Sequence, residues 1–193
     1  MLDTVHSVFN HPGLRAVWQK SRVPAALAVA VAVLWFMDPR WLVPGFVVSM
    51  TGEFIQIWCF ASLNKDTDLA CNGPYTVVRN PMYLGRFFIL LGMLMLTGSL
   101  WLIAAYVVIY YFYMVNRVKR EEERLRLALG APYVDYCEKV NAFLPTRRYP
   151  GSTFFYWNWK LLNQNHGWVN LAATLVFWIA AAAIALWGPS PPA

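Results

Sequence analysis

The residues best equipped for chemistry lie in two short stretches. The first is Gly73-Pro74-Tyr75-Thr76-Val77-Val78-Arg79-Asn80-Pro81-Met82-Tyr83-Leu84-Gly85, a loop punctuated by glycine and proline that runs straight into an apolar helix. The second is Glu121-Glu122-Glu123, followed by Tyr133 and Tyr136. Arg79 and the unpaired N–H groups of a helix beginning at Pro81 suit a carboxylate. The ring faces of Tyr75 and Tyr83 attract a soft organic cation. A glutamate pair can accept from a diol or an ammonium, or take the proton of a nucleophile. Each feature also has a plain alternative. Arg79 can be an anchor, the tyrosines interfacial aromatics, and the glutamates a solvated helix face.

The elements around these stretches belong to a membrane. Hydrophobic residues make up 59% of the 193-residue chain and charged residues only 13%, against about 25% charged in soluble domains. This composition and the segregated charge predict an all-α, polytopic protein with one membrane domain, residues 1–193. About five spans are expected, over Val23–Met37, Trp41–Leu63, Met82–Thr97, Leu100–Asn116 and Gly167–Trp187. Only Gly98 and Ser99 separate the third span from the fourth, so these two are antiparallel neighbours. The loop and the glutamates must then meet at one end of that hairpin.

Lysine and arginine orient the chain. With a cytoplasmic N-terminus, residues 1–22, 64–81 and 117–166 lie inside and hold every Lys and Arg except Arg40 and Arg86. Arg86, early in the third span, can snorkel back to the inner surface. The stretch before Val23 reads as an interfacial segment and a retained start rather than a cleaved signal, since no small-residue cleavage site follows the apolar run. Residues 117–129 read as a helix leaving the membrane and stopped near Gly130-Ala131-Pro132. Residues 153–168 form an aromatic belt, expected as an interfacial helix.

Glu53 is ionisable at mid-membrane depth, with Gln56 one turn on. It is either a structural bond between helices or a group in the cavity where a substrate enters. Asn64, Lys65, Asp66 and Asp68 share the inner loop. Cys59, Cys71 and Cys137 are scattered without ligand spacing, which argues against a disulfide framework and a zinc site, so no metal is expected. His6, His11 and His166 are isolated and read as interfacial. Nothing in the chain calls for nucleic acid, and its oligomeric state is not legible.

Together these residues resemble the integral-membrane methyltransferases of the isoprenylcysteine carboxyl methyltransferase and phospholipid methyltransferase families. Their pattern is G-x-Y-x-x-x-R-H-P-x-Y-x-G, a helical hairpin, E-E-x-x-L, F-G-x-x-Y-x-x-Y and V-x-R-F-x-P. This chain supplies Gly73, Tyr75, Arg79, Pro81, Tyr83, Gly85, Glu121, Glu122, Leu125, Gly130, Tyr133, Tyr136, Val140, Phe143 and Pro145. The resemblance covers residues 70–147 and implies a cofactor-binding core there, open to the cytoplasm. It implies S-adenosylmethionine as cofactor, contacted by Gly73, Tyr75, Arg79, Asn80, Pro81, Tyr83, Gly85, Glu121 and Glu122, with Tyr133 and Tyr136 closing the pocket.

The implied reaction is in-line methyl transfer to a lipophilic acceptor from the bilayer, lipid-like or prenylated, with Glu122, Glu121 or the deeper Glu53 as the catalytic carboxylate. Asn80 stands where the family has histidine, and an amide cannot shuttle a proton near neutrality. Ala142 replaces an arginine suited to a substrate carboxylate, although Arg147 and Arg148 lie close by. Leu129 replaces a phenylalanine. The expected setting is a bacterial inner membrane, although an endoplasmic-reticulum protein would look similar. Two alternatives remain open: a steroid- or sterol-reductase-like enzyme using NADPH, against which Met82 and Arg86 argue, and a non-catalytic protein on the same scaffold.

Overall fold

The computed structural model describes residues 12–64 and 69–187, and all regular structure among them is helical. His6, His11, Lys65, Asp66 and Asp68 lie outside the described residues, as does the Gly-Pro-rich end after Trp187. Among the described residues there are seven α-helices: α1 Pro12–Trp35, α2 Leu42–Ser62, α3 Pro81–Met95, α4 Leu100–Leu129, α5 Ala131–Lys139, α6 Trp159–Gln164 and α7 Gly167–Trp187. Three stretches among the described residues are long and apolar enough to cross a membrane: Pro39–Ser62, Leu100–Leu129 and Gly167–Trp187. Val23–Trp35 and Pro81–Met95 are shorter apolar helices. At 1.5 Å per residue, α3 rises roughly 22 Å, short of a hydrocarbon core of about 30 Å.

The helix α2 is the hub, contacting α3, α6 and α7. Its contact with α3 is the most extensive because four glycines let the backbones touch. A Cβ on Gly45 would lie 2.6 Å from the Gly92 carbonyl oxygen, and one on Gly52 would lie 2.6 Å from the Ile89 nitrogen. Small residues at such crossings are how helices associate where lipid offers no hydrophobic drive. Polar bonds pin α7 to an adjoining face of α2. Trp178 Nε1 donates to Ser49 Oγ at 3.0 Å, and Asn170 and Thr174 donate to Glu53. Val33, Leu96, Phe177, Trp178 and Ala181 close an apolar core between α1, α7 and the α3–α4 turn.

That turn is as tight as its sequence requires. Gly98 adopts φ +62°, and Ser99 caps α4 by accepting from the Leu102 N–H. At the other end, Asn165 donates its amide to the Phe60 and Leu63 carbonyl oxygens at 2.9 and 2.8 Å, satisfying the last turn of α2.

Two expectations need correction, and one holds with an addition. From Pro12 onward the stretch before Val23 is not a separate segment, because α1 runs unbroken from Pro12 with Pro24 inside it. Gly130 stops α4 with φ +63° but also starts α5, with Pro132 accommodated in its first turn. Residues 153–168 are helical only from Trp159, apart from the break between α6 and α7. The preceding backbone is drawn away by other partners: Thr153 O accepts from Gly73 N, Tyr156 O from Trp58 Nε1, and Asn158 N donates to Ala61 O.

Candidate functional site

The antiparallel α3–α4 hairpin brings the loop and the glutamates together. Tyr83, in the first turn of α3, donates its hydroxyl to Glu121 Oε2 at 2.8 Å. Arg79 Nε and Asn80 Nδ2 both donate to Glu122 Oε1, at 3.0 and 3.1 Å. Tyr106 and Tyr110 on α4 fix the register by donating to the Phe87 and Tyr83 carbonyl oxygens at 3.0 and 2.7 Å.

Arg79 does more than meet Glu122. Its Nη1 donates to the Cys137 and Val140 carbonyl oxygens at 2.6 and 2.9 Å, which ties the loop to the C-terminal end of α5. The segment after α5 then returns across the loop. Arg79 N bonds Asn141 O, Asn80 N bonds Ala142 O, Thr146 N bonds Val77 O, and Tyr149 N bonds Thr76 O. These bonds revise the expectation that Arg79 and the open start of α3 would cradle an anion. The Arg79 and Asn80 N–H groups and the Arg79 guanidinium are committed to protein carbonyls and to Glu122.

Tyr136 donates to the Tyr75 carbonyl oxygen at 2.6 Å and stacks edge-on against Tyr149. Tyr133, Tyr136 and Val140 form one buried cluster with Leu125, Leu129 and Cys137. Burial pushes the phenols of Tyr75, Tyr133 and Tyr136 up from their ordinary value. The Tyr75 hydroxyl lies against the Cys59 thiol on α2. Gly73 adopts φ +64° against Ser62, where a side chain has no room. Gly85 serves the α2–α3 contact: a Cβ there would lie 2.9 Å from Gln56 Oε1 and 3.0 Å from Gly52 O. Pro81 opens α3, where a missing N–H costs nothing.

An open groove of about 290 Å³ runs beside this knot, lined by Val115, Val118, Lys119, Glu122, Glu123, Arg126, Ala142 and Phe143. Of the residues singled out from sequence as cofactor contacts or catalytic carboxylates, Glu122 alone lines it. Val115, Val118, Lys119 and Arg126 share the helical face of Glu122 at intervals of three, four and seven, so they could have been found once Glu122 was chosen. Ala142 and Phe143 arrive from the returning segment, which no local periodicity reveals.

Glu53 is not brought to this place. Its carboxylate is 1% exposed and accepts from Asn170 Nδ2 at 2.8 and 3.0 Å and from Thr174 Oγ1 at 2.8 Å. Enclosed between α2 and α7, it is a structural clasp, and its candidacy as the catalytic carboxylate is withdrawn. Among the described residues, no group of three or more His, Cys, Asp or Glu could hold a metal ion.

Residues 41–130 match the phospholipid methyltransferase family. The chain is 32% identical over 92 residues to the nickel-cobalt-cadmium resistance protein NccN of Alcaligenes xylosoxydans xylosoxydans, covering 47% of this chain and 43% of that one. It is 28% identical over 112 residues to the cobalt-zinc-cadmium resistance protein CzcN of Cupriavidus metallidurans, covering 57% and 51%. It is 33% identical over 82 residues to the protein-S-isoprenylcysteine O-methyltransferase of Schizosaccharomyces pombe, covering 42% and 35%. The matches span about half or less of the length of these relatives. No solved structure matches the chain. Through this central region the chain is similar to the membrane methyltransferases of the phospholipid and isoprenylcysteine families.

Proposed function

We propose that this protein is a membrane methyltransferase that uses S-adenosylmethionine and methylates a lipophilic acceptor drawn from the bilayer. The observation that carries this reading is the convergence of Tyr83 on Glu121, and of Arg79 and Asn80 on Glu122, at one end of the α3–α4 hairpin. Most of that end lies in the stretch that matches the phospholipid methyltransferase family. Residues 70–147 would be the working core of the membrane domain. The concentration of Lys and Arg at its polar end supports an orientation with the groove toward the cytoplasm of a bacterial inner membrane.

The donor set fits such a cofactor. An amino-acid nucleoside brings an ammonium and a ribose diol, which Glu122 and Glu123 would hold, and a carboxylate suited to Lys119 or Arg126. Val118 and Phe143 supply apolar walls for a purine. At about 290 Å³ the groove stands at the lower edge of ligand-pocket sizes, roughly 300–1,000 Å³. Bound S-adenosylmethionine would supply an activated methyl group for in-line transfer without a metal. The chain's part is to orient and to exclude water. Arg79 and Asn80 both hold Oε1 of Glu122, so the carboxylate is fixed as it faces the groove. An amine acceptor would give its proton to Glu122, whereas a carboxylate or thiolate acceptor would need no base.

The test is label transfer. Protein in lipid vesicles with methyl-labelled S-adenosylmethionine should move label into the organic phase, and Glu122→Gln should reduce that transfer by at least tenfold. Label confined to water with every lipid extract tried, from protein that oxidises NADPH, would move the chain to the reductase class.

A further inference from the structure

Arg86 carries a charge that the groove does not use. It stands five residues beyond Pro81 in α3, about 7–8 Å along the helix axis, and is half-buried. Among the described residues, the ion pairs join Arg40 to Asp38, Arg79 to Glu122 and Lys139 to Asp135, and none reaches Arg86. Its guanidinium instead lies over the Tyr83 ring, 5.9 Å from the centroid, reaching back toward the polar end of the hairpin. A ring face replaces only part of the hydration that a guanidinium gives up at membrane depth.

A second cation bears on the same tyrosine. Arg117, exposed on α4, lies against the Tyr83 hydroxyl, which also donates to Glu121. Two guanidinium groups thus flank one phenol with a single carboxylate between them, leaving an excess positive charge. The surface beyond is apolar. Leu90, one turn farther along the Arg86 face of α3, is 39% exposed. A cationic step at headgroup depth below an apolar face matches a lipid with an anionic head, tail along Leu90 and head at the arginines. A dissolved anion would gain the charges but would leave the apolar face uncovered.

We propose that Arg86 and Arg117 form a binding site for the phosphate of an anionic membrane lipid on the outside of the α3–α4 hairpin. This site is separate from the groove and does not depend on the chain being a methyltransferase. Planar guanidinium donors match phosphate oxygens in pairs. Occupancy would hold the Tyr83–Glu121 pair from the lipid side.

The experiment is thermal unfolding of the full chain in a zwitterionic detergent. Short-chain phosphatidylglycerol, short-chain phosphatidylcholine and inorganic phosphate are added separately at equal concentration. Phosphatidylglycerol should raise Tm in the wild type and in Arg124→Gln, a charge-matched control on the exposed part of α4. The gain should fall to about half in Arg86→Gln or Arg117→Gln, vanish in the double variant, and mostly persist in Arg86→Lys. Phosphatidylcholine should give a smaller gain, equal in all variants. The same phosphatidylglycerol gain in the double variant would overturn the site. So would a full match to that gain by inorganic phosphate, which would mark a free-anion site. Should the double variant fail to fold, native mass spectrometry of the wild type decides: preferential retention of phosphatidylglycerol over phosphatidylcholine is expected, and equal retention refutes the proposal.

Discussion

Replacing Arg79 should damage the fold before it damages any chemistry. Its side chain is 12% exposed and that of Glu122 14%, so neither is strongly screened by water. Arg79→Ala leaves Glu122 with the Asn80 amide as a donor and removes the side-chain donor from two carbonyls at the end of α5. Breaking one side of a pair this enclosed costs about 3–5 kcal/mol. Arg79→Lys keeps the charge but cannot span Glu122 and two carbonyls with one fork, so about 1.5–3 kcal/mol is expected, the worth of one charged hydrogen bond. For a chain of this size, 1 kcal/mol moves Tm by roughly 2–4 °C, which places Arg79→Ala about 6–20 °C below the wild type and Arg79→Lys between them. Arg124→Ala, on an exposed face, should stay within about 0.5 kcal/mol. Differential scanning fluorimetry in detergent reads all three. If Arg79→Ala unfolds at the same temperature as Arg124→Ala, Arg79 is not the strut described here.

Other outcomes follow from the same contacts. Gly85→Ala should lower stability by about 1–3 kcal/mol through overpacking against Gln56 and Gly52, even though alanine has a helix propensity better by about 1 kcal/mol; a rise in Tm would refute the close packing. Glu53→Ala strands the Asn170 amide at about 1–3 kcal/mol, while the Thr174 hydroxyl keeps the Asn170 carbonyl oxygen as acceptor, and its folded fraction should bind S-adenosylhomocysteine as tightly as the wild type; a large loss of affinity would return Glu53 to the site. Burial holds the phenols of Tyr75, Tyr133 and Tyr136 above the ordinary value of 10.0. Their neutral forms therefore lend stability that is fully present below pH 10 and is lost as pH rises through the raised values. A spectrophotometric titration should show exposed tyrosines ionising first and a later step coincident with loss of helical dichroism. Ionisation of all ten tyrosines near pH 10 with the helices intact would contradict that burial.

The hairpin geometry was legible because Gly98 and Ser99 leave no freedom. With a two-residue turn, Tyr83 and Glu121 must share one end whatever the rest of the chain does. The glutamate pair and the tyrosines stood out for the same reason, as chemistry repeated at a fixed place. Less legible was what each group would touch. Arg79 looked like an anion receptor because sequence cannot show that the segment 140–149 folds back and claims its donors. The helix α5 was hidden by Gly130 and Pro132, which read as a stop, although Tyr133, Tyr136 and Val140 recur at helical spacing. Glu53 was ambiguous until its partners on α7, more than a hundred residues away, were known. Gly45, Gly52, Gly85 and Gly92 each look ordinary alone. Their meaning lies in the pairing of two helices.

The most direct measurement is calorimetric titration of the purified protein with S-adenosylhomocysteine and, separately, with NADPH, in the wild type and Glu122→Gln. The account predicts saturable S-adenosylhomocysteine binding in the wild type, weakened at least tenfold in the variant, and no NADPH binding. NADPH binding, or no binding of either ligand by folded wild-type protein, would contradict the proposal that this hairpin end is an S-adenosylmethionine site.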